Sequence, residues 1–292
     1  MKHSYFSFFT LSFFILLLSS CEAPYLADDA PSTPSATTPA NLTLSVFQLE
    51  QTPFTDITRT APADACTRLN FALYDASGTK VKQINQTSSD PDFGNASFQL
   101  EPGTYRLVVV AHSSNGNPTM TDPGKIQFTN AQGYSDTFLY SEMITIGQEP
   151  LTLSLTLNRI VALCRFIITD DIPATVAKMR FYYTGGSGAF DAATGYGSVN
   201  SKQDLKFDVT ASQKQFDLYT FPYKSTESTI HLVVTALDAS GTELTQRTFD
   251  VPLEKNKISS LSGAFFTATP SHPSSASVTL NTTWSAETLL TY

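Results

Sequence analysis

The feature that most constrains the fold is a period of two in the hydrophobic pattern, which runs through most of the chain after residue 41. In the clearest stretch, residues 151–157, four leucines alternate with polar residues. Successive residues of a β-strand point to opposite faces of a sheet, so this pattern predicts strands with one face in a core. Turn residues separate the runs, among them Asp75-Ala76-Ser77-Gly78 and Glu101-Pro102-Gly103. Such spacing favours β-sandwiches over βαβ units.

The pattern predicts an all-β protein with two tandem β-sandwiches, an N-terminal one over 41–157 and a C-terminal one over 158–292. The pentapeptide Asp-Ala-Ser-Gly-Thr occurs at 75–79 and again at 238–242, and both copies are predicted to form hairpin turns. The Gly-rich run 184–188 is predicted to be a flexible turn. Residues 258–261 are predicted to form a turn of helix at most.

The N-terminal segment has the build of a secretory signal peptide over residues 1–20, with Lys2 followed by an apolar run. The sequence Leu18-Ser19-Ser20-Cys21 resembles the lipobox of bacterial lipoproteins, which implies cleavage before Cys21 and acylation of Cys21, palmitate included. The alternative is an ordinary signal peptide followed by a Cys that carries no lipid. Residues 21–40 are rich in Pro, Ser, Thr and Ala and predict a tether between the lipid and the folded part.

The composition excludes several functions. Charged residues make up only 15% of the chain and the net charge is −8, so a nucleic-acid partner is not expected. His112 and His231 are predicted to be surface residues, and no paired Cys or His spacing predicts a metal site. Asp170-Asp171 and the pair Asp90 and Asp92 are interpreted as turn residues rather than Ca²⁺ ligands. We therefore expect no catalytic residues, no cofactor and no enzyme activity.

Two further cysteines, Cys66 and Cys164, leave two alternatives open. Export through an oxidising compartment permits a disulfide between them. Cys164 shares a predicted strand face with Ala162 and Phe166, so a buried free thiol is the other interpretation.

Several segments resemble the Bacteroidetes fimbrillin superfamily. They are residues 66–75 (CTRLNFALYD), 103–112 (GTYRLVVVAH) and 157–162 (LNRIVA). Residues 181–188 (FYYTGGSG), followed by Gly195-Tyr196-Gly197 and Ser201-Lys202-Gln203, most resemble the fimbrial-anchor (FimB-like) lipoproteins of that superfamily. The resemblance implies two transthyretin-like β-sandwich domains in a cell-surface pilus (fimbrium) subunit that serves as shaft, tip or anchor.

The resemblance also implies how subunits join. A strand of one subunit completes the sheet of the next, so the partners are other fimbrial subunits, with the lipid holding the chain to the cell outer membrane. In shaft subunits a protease removes the first strand, here Leu42–Glu50, by cutting at an arginine. Arg59 follows that strand and is interpreted either as such a cleavage site or as a loop residue. The run Ser277–Tyr292 is a candidate exchanged strand.

A surface glycan-binding lipoprotein is the alternative function, with aromatic residues of the segment Tyr182–Tyr196 as a sugar platform. The pattern does not identify the host or bacterial ligand of an adhesin.

Overall fold

The computed structural model describes residues 39–50, 59–60, 65–129, 133–210, 212–224, 228–267, 276–279 and 287–292. The regular elements in these ranges are strands, numbered in chain order, and they form two large sheets and one small sheet. The first sheet contains β1 (Leu42–Glu50), β2 (Arg59–Thr60), β3 (Arg68–Tyr74), β4 (Lys80–Thr87), β5 (Asn95–Phe98), β6 (Gly103–His112), β8 (Thr137–Ile146) and β9 (Leu151–Arg159).

The second sheet follows in the sequence. It contains β10 (Ala162–Ile168), β11 (Lys178–Ser187), β13 (Ser201–Asp208), β14 (Gln215–Pro222), β15 (Ser228–Leu237), β16 (Glu243–Leu253), β17 (Ile258–Gly263), β18 (Ala276–Thr279) and β19 (Glu287–Thr291). The small sheet pairs β7 (Ile126–Gln127) with β12 (Ala189–Phe190). The predicted all-β fold with two β-sandwiches is confirmed.

Each large sheet folds around its own apolar core. The first core is built from alternate residues of β1, β3, β6 and β9, and the second from alternate residues of β10, β11, β14 and β15. Phe71 and Phe138 are among the largest side chains of the first core, and Phe166, Phe181 and Phe216 of the second. The period-two pattern of the sequence therefore reflects two separate interiors.

The two sandwiches share one connection plan. β1 pairs in parallel with the last strand of its sandwich, β9, and antiparallel with β5. β10 likewise pairs in parallel with β17 and antiparallel with β14. On this plan β3 corresponds to β11, because β3 lies antiparallel between β4 and β6, and β11 lies antiparallel between β13 and β15. β6 then corresponds to β15.

The repeated pentapeptides form hairpin turns at two positions that do not correspond under this plan. Asp75 turns β3 into β4, and its carboxylate accepts hydrogen bonds from the backbone N–H groups of Ser77 and Thr79. Asp238 turns β15 into β16 and accepts equivalent bonds from Ser240 and Thr242. Because the two hairpins join different pairs of strands, the repeat reflects shared turn chemistry and does not indicate a duplicated segment.

A third apolar cluster lies between the two sandwiches. The outer faces of β3 and β6 are apolar, and they are covered by the segment between β6 and β8 and by residues of the second sandwich. At its centre the Phe128 ring lies 5.8 Å from that of Phe221 and 6.4 Å from that of Phe190. The pairing of β7 with β12 lies beside this cluster, and the backbone N–H of Phe128 donates to Gly188.

A buried cation lies where β9 ends. Arg159 is 6% exposed, and its Nε and Nη2 both donate to the carboxylate of Asp136 at 2.7 Å. Its Nη1 donates to Asn256 of the second sandwich, and the guanidinium lies 5.0 Å from the centre of the Phe138 ring. This bidentate hydrogen bond to the Asp136 carboxylate compensates for the burial of the Arg159 charge.

Two predictions about local structure are wrong. The Gly-rich run 184–188 is largely part of strand β11. A Cβ on Gly185 would overlap the carbonyl oxygen of Thr229, and Gly186 lies opposite Pro222 of β14. Glycine is needed there for close packing between strands. Residues 258–261 belong to strand β17, which lies between β10 and β19 and is buried on both faces, so it has no alternation to detect.

The third cluster leads to a stability prediction. Phe128→Ala removes an aromatic ring from the contact between the sandwiches, so the free energy of unfolding should fall by about 3–5 kcal/mol. The measurement is denaturant unfolding followed by circular dichroism. Leu244→Ala is the control, because Leu244 is exposed. Equal stabilities of the two variants would contradict the assignment of Phe128 to a packed interior.

Candidate interaction site

The first strand, β1, has the predicted bounds and is paired on both edges. On one edge it runs parallel to β9, from Leu42 opposite Leu151 to Glu50 opposite Asn158. On the other edge it pairs antiparallel with β5 over its first half and with β2 over its last two residues. β1 therefore lies in a slot between other strands.

The inward side chains of β1 fill the first core. Leu42, Leu44, Val46 and Leu49 are each at most 5% exposed. Burying one such side chain contributes about 1.5–3 kcal/mol, so these four residues are the main anchors of the strand. Without β1, a groove lined by the rest of the first core would open between β9 and β5. We refer to this slot as the β1 groove.

A bulge interrupts the parallel pairing in the middle of β1. The register shifts between Val46, which lies opposite Leu155, and Gln48, which lies opposite Thr156. Phe47 is the extra residue, and its side chain is 64% exposed, the most exposed of the large apolar side chains described. A bulge breaks the regular ladder of hydrogen bonds and turns a side chain outward. β1 thus presents an aromatic ring to solvent at its midpoint.

The interpretation of Arg59 as a loop residue is wrong, because Arg59 lies in a short strand. Its backbone forms strand β2 with Thr60, and Arg59 lies opposite Glu50, the last residue of β1. Residues 51–58 lie outside the described residues. Whether the chain is cut at Arg59 stays a prediction.

The candidate exchanged strand, Ser277–Tyr292, spans most of β18 and all of β19. β18 pairs antiparallel with β19, and β19 pairs in parallel with β17 at the edge of the second sheet. Residues 280–286, which include Trp284, lie outside the described residues. The last part of the sequence therefore extends the sheet of its own chain.

The structure does not bring the two remaining cysteines together. Neither Cys66 nor Cys164 forms a disulfide, and they lie in the first and the second core respectively. Burial raises the pKa of each thiol to about 12. Such thiols are packing groups with little nucleophilic thiolate at neutral pH.

The prediction that His112 lies at the surface is wrong. Its side chain is fully buried at the end of β6, and the centre of its ring lies 4.9 Å from that of the Phe128 ring, with the two planes at 87°. The backbone N–H of Ser114 donates to Nδ1, so Nε2 carries the proton and donates to Asn70 Oδ1 at 2.8 Å. Burial, together with the charge of Arg68, lowers the pKa of His112 to about 4. A neutral, strongly bonded histidine is a structural group here.

An open polar cleft of about 410 Å³ lies next to this histidine. It is lined by Thr67, Arg68, Ser113, Ser114, Asn115, Gly133, Tyr134 and Ser135. Ser135 Oγ lies 3.0 Å from Ser114 Oγ and accepts a bond from the backbone N–H of Ser113. The cleft therefore offers hydroxyl, amide and guanidinium groups on walls fixed by hydrogen bonds. No sequence motif marks it, because its walls come from three separate segments.

Two tyrosine rings of the segment Tyr182–Tyr196 contact cationic side chains of the same chain. The guanidinium of Arg180 lies 5.7 Å from the centre of the Tyr182 ring, and Lys255 Nζ lies 4.2 Å from that of Tyr196. Both rings are half-buried. His231 is exposed, as predicted, and its Nδ1 lies 2.6 Å from the Asp250 carboxylate.

The acidic turn residues serve the backbone. Asp170 accepts hydrogen bonds from the N–H groups of Phe265, Phe266 and Thr267. Burial acts to raise the pKa of Asp170, but these bonds outweigh it and hold the pKa below the usual value. Asp90 accepts a bond from the Thr87 N–H. Within the described ranges, no group of three His, Cys, Asp or Glu side chains is placed to hold a metal ion.

The predicted signal peptide, Cys21 and the tether up to residue 38 lie outside the described residues. No helix in the described part of the chain is long and apolar enough to cross a membrane. Lipidation of Cys21 therefore stays a prediction from the lipobox alone.

Comparisons with known proteins give a family and several similar structures. A family model described as a family of unknown function (DUF6562) matches residues 34–291. No curated protein matches the sequence. A candidate adhesin from Bacteroides ovatus has a TM-score of 0.49 and 16% identity, over 80% of this chain and 88% of that chain.

Two further solved structures are similar over most of their length. The fimbrial anchor protein Mfa2 from Porphyromonas gingivalis has a TM-score of 0.43 and 13% identity, over 70% of this chain and 80% of that chain. A candidate polysaccharide-binding protein from Bacteroides thetaiotaomicron has a TM-score of 0.44 and 14% identity, over 71% and 80%. Adhesins and fimbrial proteins of Bacteroidetes are thus among the similar structures, as the sequence motifs indicate. At this identity the likeness concerns the fold.

The buried histidine leads to a pH prediction. The pKa of His112 is about 4 in the folded chain against 6.5 for an unperturbed histidine, so folding disfavours protonation of His112. The free energy of unfolding should therefore fall, by about 3 kcal/mol from this group, as the pH drops from 6.5 to 4. His112→Gln retains a donor toward Asn70 and should lose that dependence, measured by urea unfolding at each pH. His231→Gln, at an exposed position, is the control. The same pH slope in His112→Gln and wild type would contradict the prediction.

Proposed function

We propose that this chain, which belongs to the family of unknown function DUF6562, is a cell-surface lipoprotein. It acts as a fimbrial anchor or minor fimbrial subunit. In this proposal Cys21 carries the lipid that holds the chain to the outer membrane. Other fimbrial subunits join it by strand exchange. The chain performs no catalysis.

The observation that carries the proposal is the β1 groove. β1 is held on both edges, with its apolar side chains in the core, so its departure would leave two unpaired edges and open apolar pockets for an incoming strand. An added strand gains affinity from the same backbone hydrogen bonds, and specificity from pockets for alternate side chains. The bulge at Phe47 supports this use, because a broken ladder is easier to displace than a regular one.

The covalent link between Cys21 and β1 favours an anchor over a shaft subunit. β1 fills its groove, and Arg59 forms part of the strand that covers its end. Cleavage at Arg59 would also separate Cys21 from the folded part of the chain. In an anchor, an incoming strand displaces β1 from the groove, and the displaced β1 still joins the lipidated Cys21 to the folded part of the chain.

The experiment compares Cys21→Ser with Arg59→Ala in the bacterium that carries the gene. Electron microscopy should show fibres released into the medium from the Cys21→Ser strain. The Arg59→Ala strain should keep cell-bound fibres in normal number, because that variant retains the lipid. Protein released from the wild-type surface by an added protease should have no N-terminus at Thr60.

Two results would contradict this function. Cell-bound fibres in normal number on the Cys21→Ser strain would exclude a lipid anchor. A mature wild-type chain that begins at Thr60 would support a shaft subunit instead.

A second candidate is glycan binding, which the polar cleft beside His112 favours. Its hydroxyl and amide groups can donate to and accept from sugar hydroxyls, and Arg68 adds a charged donor. One of the similar structures is a candidate polysaccharide-binding protein.

A glycan array with wild type, Arg68→Ala and Lys206→Ala tests the second candidate. If the cleft binds a glycan, Arg68→Ala should weaken retention at least tenfold, whereas Lys206→Ala, at an exposed position on β13, should not. This candidate is excluded if wild type binds no glycan on the array, or if Arg68→Ala binds glycans as tightly as wild type does.

A further inference from the structure

Arg68, at the wall of the polar cleft, carries a positive charge that no carboxylate of the described chain balances. Three arginines of the second half of the chain or its start, Arg159, Arg165 and Arg180, each make a bidentate hydrogen bond to an aspartate. Arg68 is half-buried and makes no ion pair with any residue that the structure describes. Among the described residues that line the cleft, it alone is charged. The cleft is therefore a site of positive potential in a chain with a net charge of −8.

A chain of hydrogen bonds behind the cleft holds Arg68 in place. Its Nη1 donates to Asn117 Oδ1 at 3.3 Å, and the same oxygen accepts from Asn70 Nδ2 at 3.0 Å. Asn70 is fully buried and accepts from His112 Nε2, and His112 in turn accepts from the backbone N–H of Ser114, a second wall residue. A side chain that is fixed in this way loses little freedom when a ligand binds.

The guanidinium keeps most of its donors for a ligand. An arginine side chain has five N–H donors in a planar fork, and the bond to Asn117 occupies one of them. The fork matches the two oxygens of a carboxylate, as the three paired arginines of this chain show. Arg68 is therefore built to receive an anionic group from outside the chain.

The rest of the wall offers hydroxyl groups in fixed positions. Ser113 Oγ accepts from the backbone N–H of Thr67 at 3.1 Å, and Ser114 Oγ accepts from that of Ser135 at 3.0 Å. A hydroxyl that accepts one bond keeps further capacity to donate and accept. Tyr134, the aromatic residue among the described lining residues, is 8% exposed and packs on Phe221, so its ring offers no open face for stacking. Polar contacts must therefore supply the affinity for any ligand.

The chemistry of the wall favours a sugar with a negative charge over a neutral one. Hydrogen bonds between neutral groups replace bonds to water and gain little, whereas bonds to an ionised group are roughly twice as strong. The serine hydroxyls suit the hydroxyls of a sugar ring. An acidic peptide would bring apolar side chains, for which the cleft has no apolar wall. The volume of about 410 Å³ is in the range of small-molecule sites.

We propose that the polar cleft binds a sugar that carries a carboxylate, with Arg68 as the partner of the carboxylate and Asn117 as a positioning residue. The inference rests on the second candidate function, glycan binding by this cleft, and deepens it by naming the charge of the glycan. It is independent of the fimbrial anchor function.

The test compares two trisaccharides by isothermal titration calorimetry at neutral pH. One is a trimer of galacturonic acid, and the other is the galactose trimer of the same linkage, which lacks only the carboxylates. The full-length wild type should bind the acidic trimer at least tenfold more tightly than the neutral one, and added salt should reduce this ratio. Arg68→Gln, which removes the charge, should bring the two affinities within twofold of each other.

Arg106→Gln is the matched control for Arg68→Gln. Arg106 is also half-buried and also donates to a neutral oxygen, Ser141 Oγ at 3.3 Å, but it does not line the cleft. The ratio of the two affinities should stay at the wild-type value in this variant. A ratio that falls equally in both variants would indicate a general effect of net charge and would overturn the inference.

Asn117→Asp tests the site without touching Arg68. The new carboxylate replaces an amide of the same shape at an exposed position and gives Arg68 a partner within its own chain. Binding of the acidic trimer should fall at least tenfold. Gln148→Glu adds the same charge in the exposed turn between β8 and β9, at the other end of the first sheet from His112, and should have no such effect.

Three results would overturn the inference. They are equal binding of the two trimers by wild type, no binding of the acidic trimer, and a wild-type ratio in an Arg68→Gln chain that has the circular dichroism of wild type. Neutral glycans retained by wild type on the array and lost in Arg68→Ala would then leave glycan binding by the cleft standing without a charge preference. The anchor function would survive each of these results, because the Cys21→Ser experiment tests it separately.

Discussion

Both faces of the sheet formed by β3 and β6 are apolar, and this constrains the arrangement of the whole molecule. The inner face packs in the first core, and the outer face, with Tyr74 and Val110, needs a second cover. The segment between β6 and β8 supplies part of that cover, and the second sandwich supplies the rest through Phe190 and Phe221. The contact is thus a third hydrophobic core, and its burial couples the two sandwiches energetically.

The short connection between the sandwiches follows from that core. β9 ends at Arg159 and β10 begins at Ala162, so Ile160 and Val161 alone join them, and both are buried in the third cluster. Arg159 is then drawn into a low-polarity region, where the carboxylate of Asp136 balances its charge. The β1 groove therefore lies on a frame that is held together at its centre.

The sequence predicted those strands that have one core face and one solvent face, because their alternation is local information. β1 and β9 were predictable in this way. The prediction was wrong where burial comes from partners distant in the chain. β17 is covered on both faces, His112 packs against Phe128 and is bonded to Asn70, and Gly185 and Gly186 lie within a packed strand. The polar cleft was not predictable for the same reason, since it is assembled from separate segments.

The parallel pairing of β1 with β9 has a mechanical consequence. The start of β1 and the end of β9 lie at opposite ends of the ladder, because the two strands run in the same direction. A pull applied between the N-terminal segment and the second sandwich therefore slides the strands along each other. The inter-strand hydrogen bonds are then loaded together in shear, and the ladder does not open one bond at a time. A chain tethered through its N-terminus would resist tension best in this geometry, and the single bulge at Phe47 marks where sliding would begin.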